Sequence, residues 1–323
     1  MHPATASRAL DPALPGRVAA ETVRRVRDAA DALGYRPDPT ARSLRTRRSG
    51  FVGVVVPDLT NPVIPPIVRG IEEVLWTAGL ACLLADTDND LEREAAVVAE
   101  LRSRRCEGLI VASATRSGET LEELAREDVA TVLVTRDIDA GTLPLVAADD
   151  AAGVRAAVTH LAELGHERIA HVTGPLSLST TARRLAAFLE ALPGAGRPPV
   201  VHGEAFTIPA GERAAAELLR AHDGVTAIVA GNDMIALGCY AALEAAGLRC
   251  PRDVSVVGHN DMPLVGQVQP PLTTVAIPQY ELGVEAARLL LARLRRGDGE
   301  QPPPRVLLPT RLVVRASTAP PDG

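Results

Sequence analysis

The side chains that follow the apolar, β-branched runs of this sequence are amides, carboxyls and guanidinium groups, a set suited to holding a ligand. Asn232 comes just after the run 226–230 and opens a helical stretch, and Asn260 stands in the same relation to 254–258. Arg136 follows 131–134, and Asp58, Thr60 and Asn61 follow 51–56, with Val63 and Ile64 beginning the next helical stretch. Asp233 and Asp261 are neighbouring candidates. Guanidinium groups and amides offer several directional donors or acceptors at once. Asn232 also suits a helix cap, and capping and ligand contact are compatible. The groupings that catalysis needs are missing. The loop after 51–56 reads Pro57-Asp58-Leu59-Thr60-Asn61-Pro62, without the glycines of GxGxxG or GxxxxGK[ST], and no GxSxG elbow occurs. The histidines are scattered, and Cys82, Cys106, Cys239 and Cys250 show no CxxC spacing, so neither a zinc site nor a disulfide framework is expected. The expectation is a protein that is not an enzyme and needs no cofactor or metal.

Those residues must be positioned by a regular scaffold. From 51 to 316 short apolar runs (51–56, 81–85, 108–112, 131–134, 168–173, 226–230 and 254–258) alternate with segments of helical period, among them 64–78, 92–104, 151–164, 181–192, 211–222 and 233–246. Several of these stop at a glycine, Gly79, Gly165 or Gly247, the usual helix C-terminal signal. Strand and helix in alternation predict βαβ units, and near-continuously apolar strands predict parallel sheets covered on both faces. Ligands of such α/β folds sit at the carboxyl ends of the strands, which is where the candidate side chains fall.

Residues 1–50 differ. They show helical pattern alone, with Val18, Thr22, Val23, Val26, Ala30 and Leu33 on one face of 17–33, a stop at Gly34, and Pro37 and Pro39 before a short arginine-rich piece at 40–46. They hold ten arginines against five acidic residues, while the whole chain carries a net charge of −6. A basic end on an acidic body suggests an anionic partner met at that end only. Arginine number alone carries little weight, because the sequence contains no lysine at all. With 2% aromatic residues a stacking platform for single-stranded RNA is not expected. No run of eighteen apolar residues and no signal-peptide pattern occurs, which predicts a cytoplasmic protein.

Several motifs then occur in one order. They are Pro3-Ala4-Thr5-Ala6-Ser7-Arg8-Ala9-Leu10, Ala32-Leu33-Gly34-Tyr35-Arg36-Pro37, Ala41-Arg42-Ser43-Leu44-Arg45 and Val56-Pro57-Asp58-Leu59-Thr60-Asn61-Pro62. Leu164-Gly165-His166 with Ile169 and Gly174-Pro175, and Pro270-Pro271-Leu272-Thr273-Thr274-Val275, complete the set. Together they resemble the lactose-repressor (LacI) family of bacterial transcription regulators. The resemblance implies two similar doubly wound subdomains like those of a periplasmic binding protein, with the chain crossing between them near Ala148, Ile277 and Val306. The expected organisation is a helix-turn-helix head over 1–37, a hinge over 38–50, and a body over 51–316 followed by a tail at 317–323. Within the body, subdomain 1 takes 51–148 and 278–305, and subdomain 2 takes 149–276 and 306–316.

The resemblance also implies roles. Pro3, Ala4 and Arg8 would face bases, Thr5 and Ser7 phosphates, and Arg8 is the side chain able to grip guanine with two bonds. In the hinge, next to Ala41, Leu44 would wedge into the minor groove while Arg42 and Arg45 neutralise phosphates. Arg184 matches the family's effector-clamping arginine, and Asp58, Val63, Ile64, Arg136, Asn232 and Asn260 would line the same cleft. The implied protein is a homodimeric repressor of double-stranded operator DNA, controlled by a small sugar-like effector. The motif pattern begins at the recognition helix, so the head is expected to lack its first helix and to bind DNA with little sequence preference. The competing reading is a stand-alone sugar-binding protein without specific DNA binding.

Overall fold

The computed structural model describes residues 2–10, 18–35, 49–192, 198–296 and 303–321. The chain divides at Gly50 into a small helical unit and a large α/β unit. The small unit contains α1 (Pro3–Ala9) and α2 (Ala20–Ala32), with Ala9 and Val26 buried. Leu33, expected on the apolar face, is instead exposed, because α2 ends before it and Gly34 turns the chain at φ +62°. Thr5 is half-buried and Arg8 exposed. The hinge residues Ala41, Arg42, Leu44 and Arg45, and the side chains of Pro3, Ala4 and Ser7, lie outside what is described.

The large unit is built on two six-stranded sheets. The first contains β1 (Phe51–Val56), β2 (Ala81–Asp86), β3 (Leu109–Val111), β4 (Thr131–Val134), β5 (Leu145–Ala148) and β11 (Arg305–Leu308), in the order β11-β5-β4-β3-β1-β2. The second contains β6 (Ile169–Thr173), β7 (Val200–His202), β8 (Ala227–Ala230), β9 (Ser255–Asn260), β10 (Thr273–Ala276) and β12 (Arg311–Val313), in the order β12-β10-β9-β8-β6-β7. Each sheet therefore repeats one doubly wound order, with its switch point beside its first strand.

The strands pair in parallel apart from β10 with β12, which is antiparallel where the sequence predicts parallel pairing throughout. The reason is the short link Pro309-Thr310. The chain leaves the carboxyl end of β11 and enters the second sheet at once, from the edge where that sheet's parallel strands end.

The strands read as continuous apolar runs because helices cover them: β4 and β8 are buried along their whole length. The helices are α3 (Ile64–Thr77), α4 (Leu91–Ser103), α5 (Glu119–Arg126) and α10 (Gln279–Arg296) around the first sheet, and α6 (Asp150–Glu163), α7 (Ser179–Ala191), α8 (Ile208–Ala221) and α9 (Asp233–Ala245) around the second. In α3 the buried Ile64, Ile67, Ile71 and Leu75 recur at helical spacing and face the core. The glycines read as helix stops do turn the chain, at φ +74° for Gly79, +95° for Gly165 and +74° for Gly247.

Two expected boundaries move. The third crossing lies after Leu308 and not near Val306, because Val306 still pairs with Val146 and Leu308 with Ala148 in the first sheet. Residues 317–319, expected as part of a tail, are fixed to the second sheet. Ser317 is fully buried, its hydroxyl donating to Val256 O (2.6 Å) and accepting from Thr273 N (2.8 Å), while Ala319 N donates to Ser255 Oγ (3.1 Å).

Candidate ligand-binding site

The carboxyl ends of both sheets frame one cavity of about 360 Å³. The loops after β1, β2, β3 and β4 supply one wall, and those after β6 and β7 supply the other. Both sheets contribute at their switch points, the position where open α/β sheets take ligands.

Arg136 enters the cavity because the chain turns sharply after β4. Its N–H donates to Val134 O (2.8 Å), closing a three-residue turn with Thr135 at φ +65°. A β-branched residue in the left-handed region is strained, and three-residue turns of this hand are rare. Thr135 is held there by its N–H to Val146 O (2.8 Å). The Arg136 guanidinium is buried and donates to Asn89 Oδ1 (3.1 Å). Burial lowers its pKa to about 10, against the opposing pull of Glu94 and Asp58, so it stays charged at neutral pH. Glu94, in the first turn of α4, is buried too, and its carboxylate accepts a bond from the Ser113 hydroxyl. Burial pushes its pKa up, offset in part by that bond and by Arg136.

Asp58 shapes the first loop, accepting from Thr60 N (2.7 Å) and Thr60 Oγ1 (2.6 Å). Asp88 and Asn89, both at positive φ, curl the loop after β2 over the same wall. The opposite wall carries an apolar patch beside Ser177, Glu204 and Thr207. Phe206 lies over Gly174, where any side chain would run into its ring, and Leu178 and Pro175 continue that surface.

Of the residues singled out in the sequence, Asp58, Asn61 and Arg136 line this cavity. Val63 and Ile64 are buried in the apolar core of the first subdomain. Arg184, Asn232 and Asn260 are not among the lining residues; they belong to a buried polar cluster of the second subdomain. Arg184 donates from Nε to Asp150 Oδ1 (2.8 Å), from Nη1 to Gly231 O (2.6 Å) and from Nη2 to Asn260 Oδ1 (3.3 Å). Asp150 also accepts from Arg183 Nη2 (3.0 Å) and lies 3.3 Å from His259 Nε2. Burial disfavours the Asp150 carboxylate, yet Arg184, His259 and Arg183 together hold its pKa well below the usual range. Asn232 caps α9, its side chain accepting from Ile235 N (2.9 Å). Asn260 closes β9 at φ +119°, and Gln279 Nε2 donates to its carbonyl (2.9 Å). Among the described residues no cluster of His, Cys, Asp and Glu is arranged to hold a metal ion.

Comparison with known proteins agrees with this fold. Residues 158–318 match the periplasmic binding protein-like domain family. The ribose operon repressor of Halalkalibacterium halodurans is 32% identical over 315 residues, covering 98% of this chain and 93% of that protein. The crystal structure of the lac repressor dimer bound to operator and the anti-inducer ONPF superposes with a TM-score of 0.86 at 27% identity, over 98% of this chain and 95% of its own. The chain belongs to the LacI family of transcriptional regulators. A second similar structure, the transcriptional regulator CelR in complex with cellobiose, has a TM-score of 0.75 at 31% identity and covers 94% of this chain and 92% of its own. These relatives are regulators and not enzymes, and among the described residues of this LacI-family chain no helix is long and apolar enough to cross a membrane.

Sequence reasoning missed Glu94, Asn89 and Phe206 in this LacI-family cleft. A signal existed for Asn89, which follows the apolar run 81–85 that becomes β2, whereas Phe206 follows β7, a strand too short to leave such a run. Glu94 carried none, because an acidic residue in the first turn of a helix is the ordinary, solvent-exposed choice.

Proposed function

We propose that the protein is a homodimeric, cytoplasmic, DNA-binding repressor, without catalytic activity, whose operator affinity is set by a sugar-like effector held between its two sheets. The observation that carries this reading is the cavity itself. It sets the guanidinium of Arg136 and the carboxyls of Asp58 and Glu94 across from the apolar face of Phe206, Leu178 and Pro175. Hydroxyl groups on one edge of a sugar ring would engage the polar wall, and the C–H face of the ring would lie on the phenyl group. The relatives' names support the same reading: a ribose operon repressor, a cellobiose complex and a repressor dimer on its operator.

In this reading Val63 and Ile64 fix the first wall by packing. Arg184, Asn232 and Asn260 hold the second subdomain's strand ends in place behind the cavity. At the other end of the chain, Pro3, Ala4, Thr5, Ser7 and Arg8 meet the major groove. Ala41, Arg42, Leu44 and Arg45 meet the operator centre.

The test is selection of genomic fragments by the full chain, followed by gel shifts with and without D-ribose or cellobiose. Selected fragments should share a two-fold sequence, as a two-fold protein requires, and one of the sugars should alter the shift. Retention of genomic and random DNA alike would favour a sugar-binding protein without an operator.

A further inference from the structure

The same cavity carries information about the charge of its ligand. Five carboxylates line it, Asp58, Asp88, Asp90, Glu94 and Glu204, whereas Arg136 is the one basic residue among the described residues lining it. That guanidinium is not poised for an anion. It shares Ser113 with the buried Glu94, whose carboxylate accepts from the Ser113 hydroxyl while Arg136 Nη1 donates to the Ser113 carbonyl (3.5 Å), and the same nitrogen is engaged with Asn89 Oδ1 (3.1 Å). The negative charge of Glu94 acts on the arginine at this short range. A phosphate or sugar carboxylate entering here would meet a second negative group wherever it met the arginine. Like charges brought together in a low-dielectric cleft are strongly disfavoured, and a cleft lined by one sign of charge repels that sign before contact.

Four of the five carboxylates are already engaged within the protein. Asp58 is occupied by Thr60 N and Oγ1, Asp90 caps α4 through Arg93 N (2.7 Å), Glu204 pairs with Arg213, and Glu94 accepts from Ser113. What remains is a wall of acceptors and donors with its innermost charges cancelled in place, facing a phenyl ring. Neutral hydroxyls, each able to donate to a carboxylate and accept from the guanidinium, suit that wall.

Resting on the sugar reading above, we infer that the effector is an uncharged polyhydroxylated molecule, and that Glu94, by balancing Arg136 inside the cavity, excludes phosphate esters and sugar acids. The experiment measures thermal unfolding of the full chain with matched pairs: D-ribose and ribose 5-phosphate, D-glucose and glucose 6-phosphate, D-glucose and gluconate, with cellobiose and glucosamine added. Adenosine and cytidine are screened alongside, and calorimetry then follows on any compound or pair that responds. A ligand that binds the folded state raises the melting temperature. An uncharged member should raise it, and its anionic counterpart should bind at least about a hundred-fold more weakly. Glu94→Gln leaves the arginine unbalanced and should narrow that gap about ten-fold.

A phosphate ester or sugar acid that binds as tightly as its neutral parent overturns the inference and leaves the sugar reading standing. Binding of glucosamine at the expense of glucose overturns it as well, and so does an unchanged gap in Glu94→Gln. If nucleosides bind and no sugar of either kind does, the sugar reading itself falls.

Discussion

Arg136 and Arg184 are both buried arginines of the cleft region, yet their surroundings give them different tasks. Arg136 lines the cavity and bonds the protein through Nη1 alone, to Asn89 Oδ1 (3.1 Å) and the Ser113 carbonyl (3.5 Å), so its loss should be felt mainly by the ligand. Arg136→Ala should weaken effector binding by about ten- to a hundred-fold, on the order of 1.5–3 kcal/mol for a charge-assisted bond, as read by calorimetry. Glu94, already pushed toward its protonated form by burial, can take up a proton when the arginine goes, which limits the effect on folding. Arg184 is different because each of its nitrogens meets a protein acceptor. Arg184→Ala should cost stability first, about 3 kcal/mol as for other broken buried pairs, and appear as a lower urea midpoint even without ligand.

The buried histidines give the fold a pH dependence of definite sign. Burial lowers the pKa of His171 and of His259 to about 4 each. Both are neutral when folded and protonate near 6.5 when unfolded, so stability is lost as pH falls from about 6.5 toward 4. Each contributes at most about 3 kcal/mol across that window. Asp233 works against them: burial raises its pKa to about 6, so it disfavours the fold as pH rises. Two histidines outweigh one carboxyl, and the melting temperature should drop between pH 7 and pH 4.5, with a shallower drop in His259→Asn. Asp58 and Arg136 were legible in the sequence because each follows an apolar run. The polar cluster around Asp150 was not, since it depends on which strand ends meet in space.

At the scale of elements, each subdomain packs a helix pair through glycines. A Cβ on Gly283 of α10 would strike the carbonyl of Ile67 in α3, and one on Gly70 would strike the carbonyl of Tyr280. The second subdomain repeats the device: a Cβ on Gly238 of α9 would strike the carbonyl of Ile208 in α8, and one on Gly211 would meet Ile235. The obstacles are backbone atoms, which cannot swing away as a side chain can. Gly283→Ala and Gly238→Ala should each destabilise the fold by about 1–3 kcal/mol through overpacking, measured as a shift in the urea midpoint. A neutral result at either would contradict close helix contact there. Strand and helix alternation was legible from 51 onward because buried parallel strands leave apolar runs. Three of the four edge strands were not: β7 has three residues with one exposed, and β11 and β12 each begin with an exposed arginine; the interior strands β5 and β10, four residues each, were not singled out either. The antiparallel course of β12 was invisible because it follows from the short link at 309–310, not from any local pattern.

At the scale of the whole large unit, the two sheets are bonded to each other beside the cavity. Arg183 Nη2 donates to Thr135 O (2.8 Å), Asp137 N to Ser179 Oγ (2.8 Å) and Arg116 N to Ser177 O (2.9 Å). Thr135 and Arg136 are consecutive, so the residue that reaches into the cavity adjoins one that joins the subdomains. A ligand on Arg136 can therefore favour one arrangement of the two sheets over another, and a ligand controls a distant site only through such a difference. The most direct measurement is the affinity of the full chain for a selected operator fragment, by fluorescence anisotropy, titrated with the bound sugar in wild type and in Arg136→Ala. Saturating sugar should change operator affinity by about five- to 150-fold in the wild type, and Arg136→Ala should need about ten- to a hundred-fold more sugar for the same change while binding operator normally without it. An Arg136→Ala protein that responds to the same sugar concentration as wild type would contradict the placing of the effector between the two sheets.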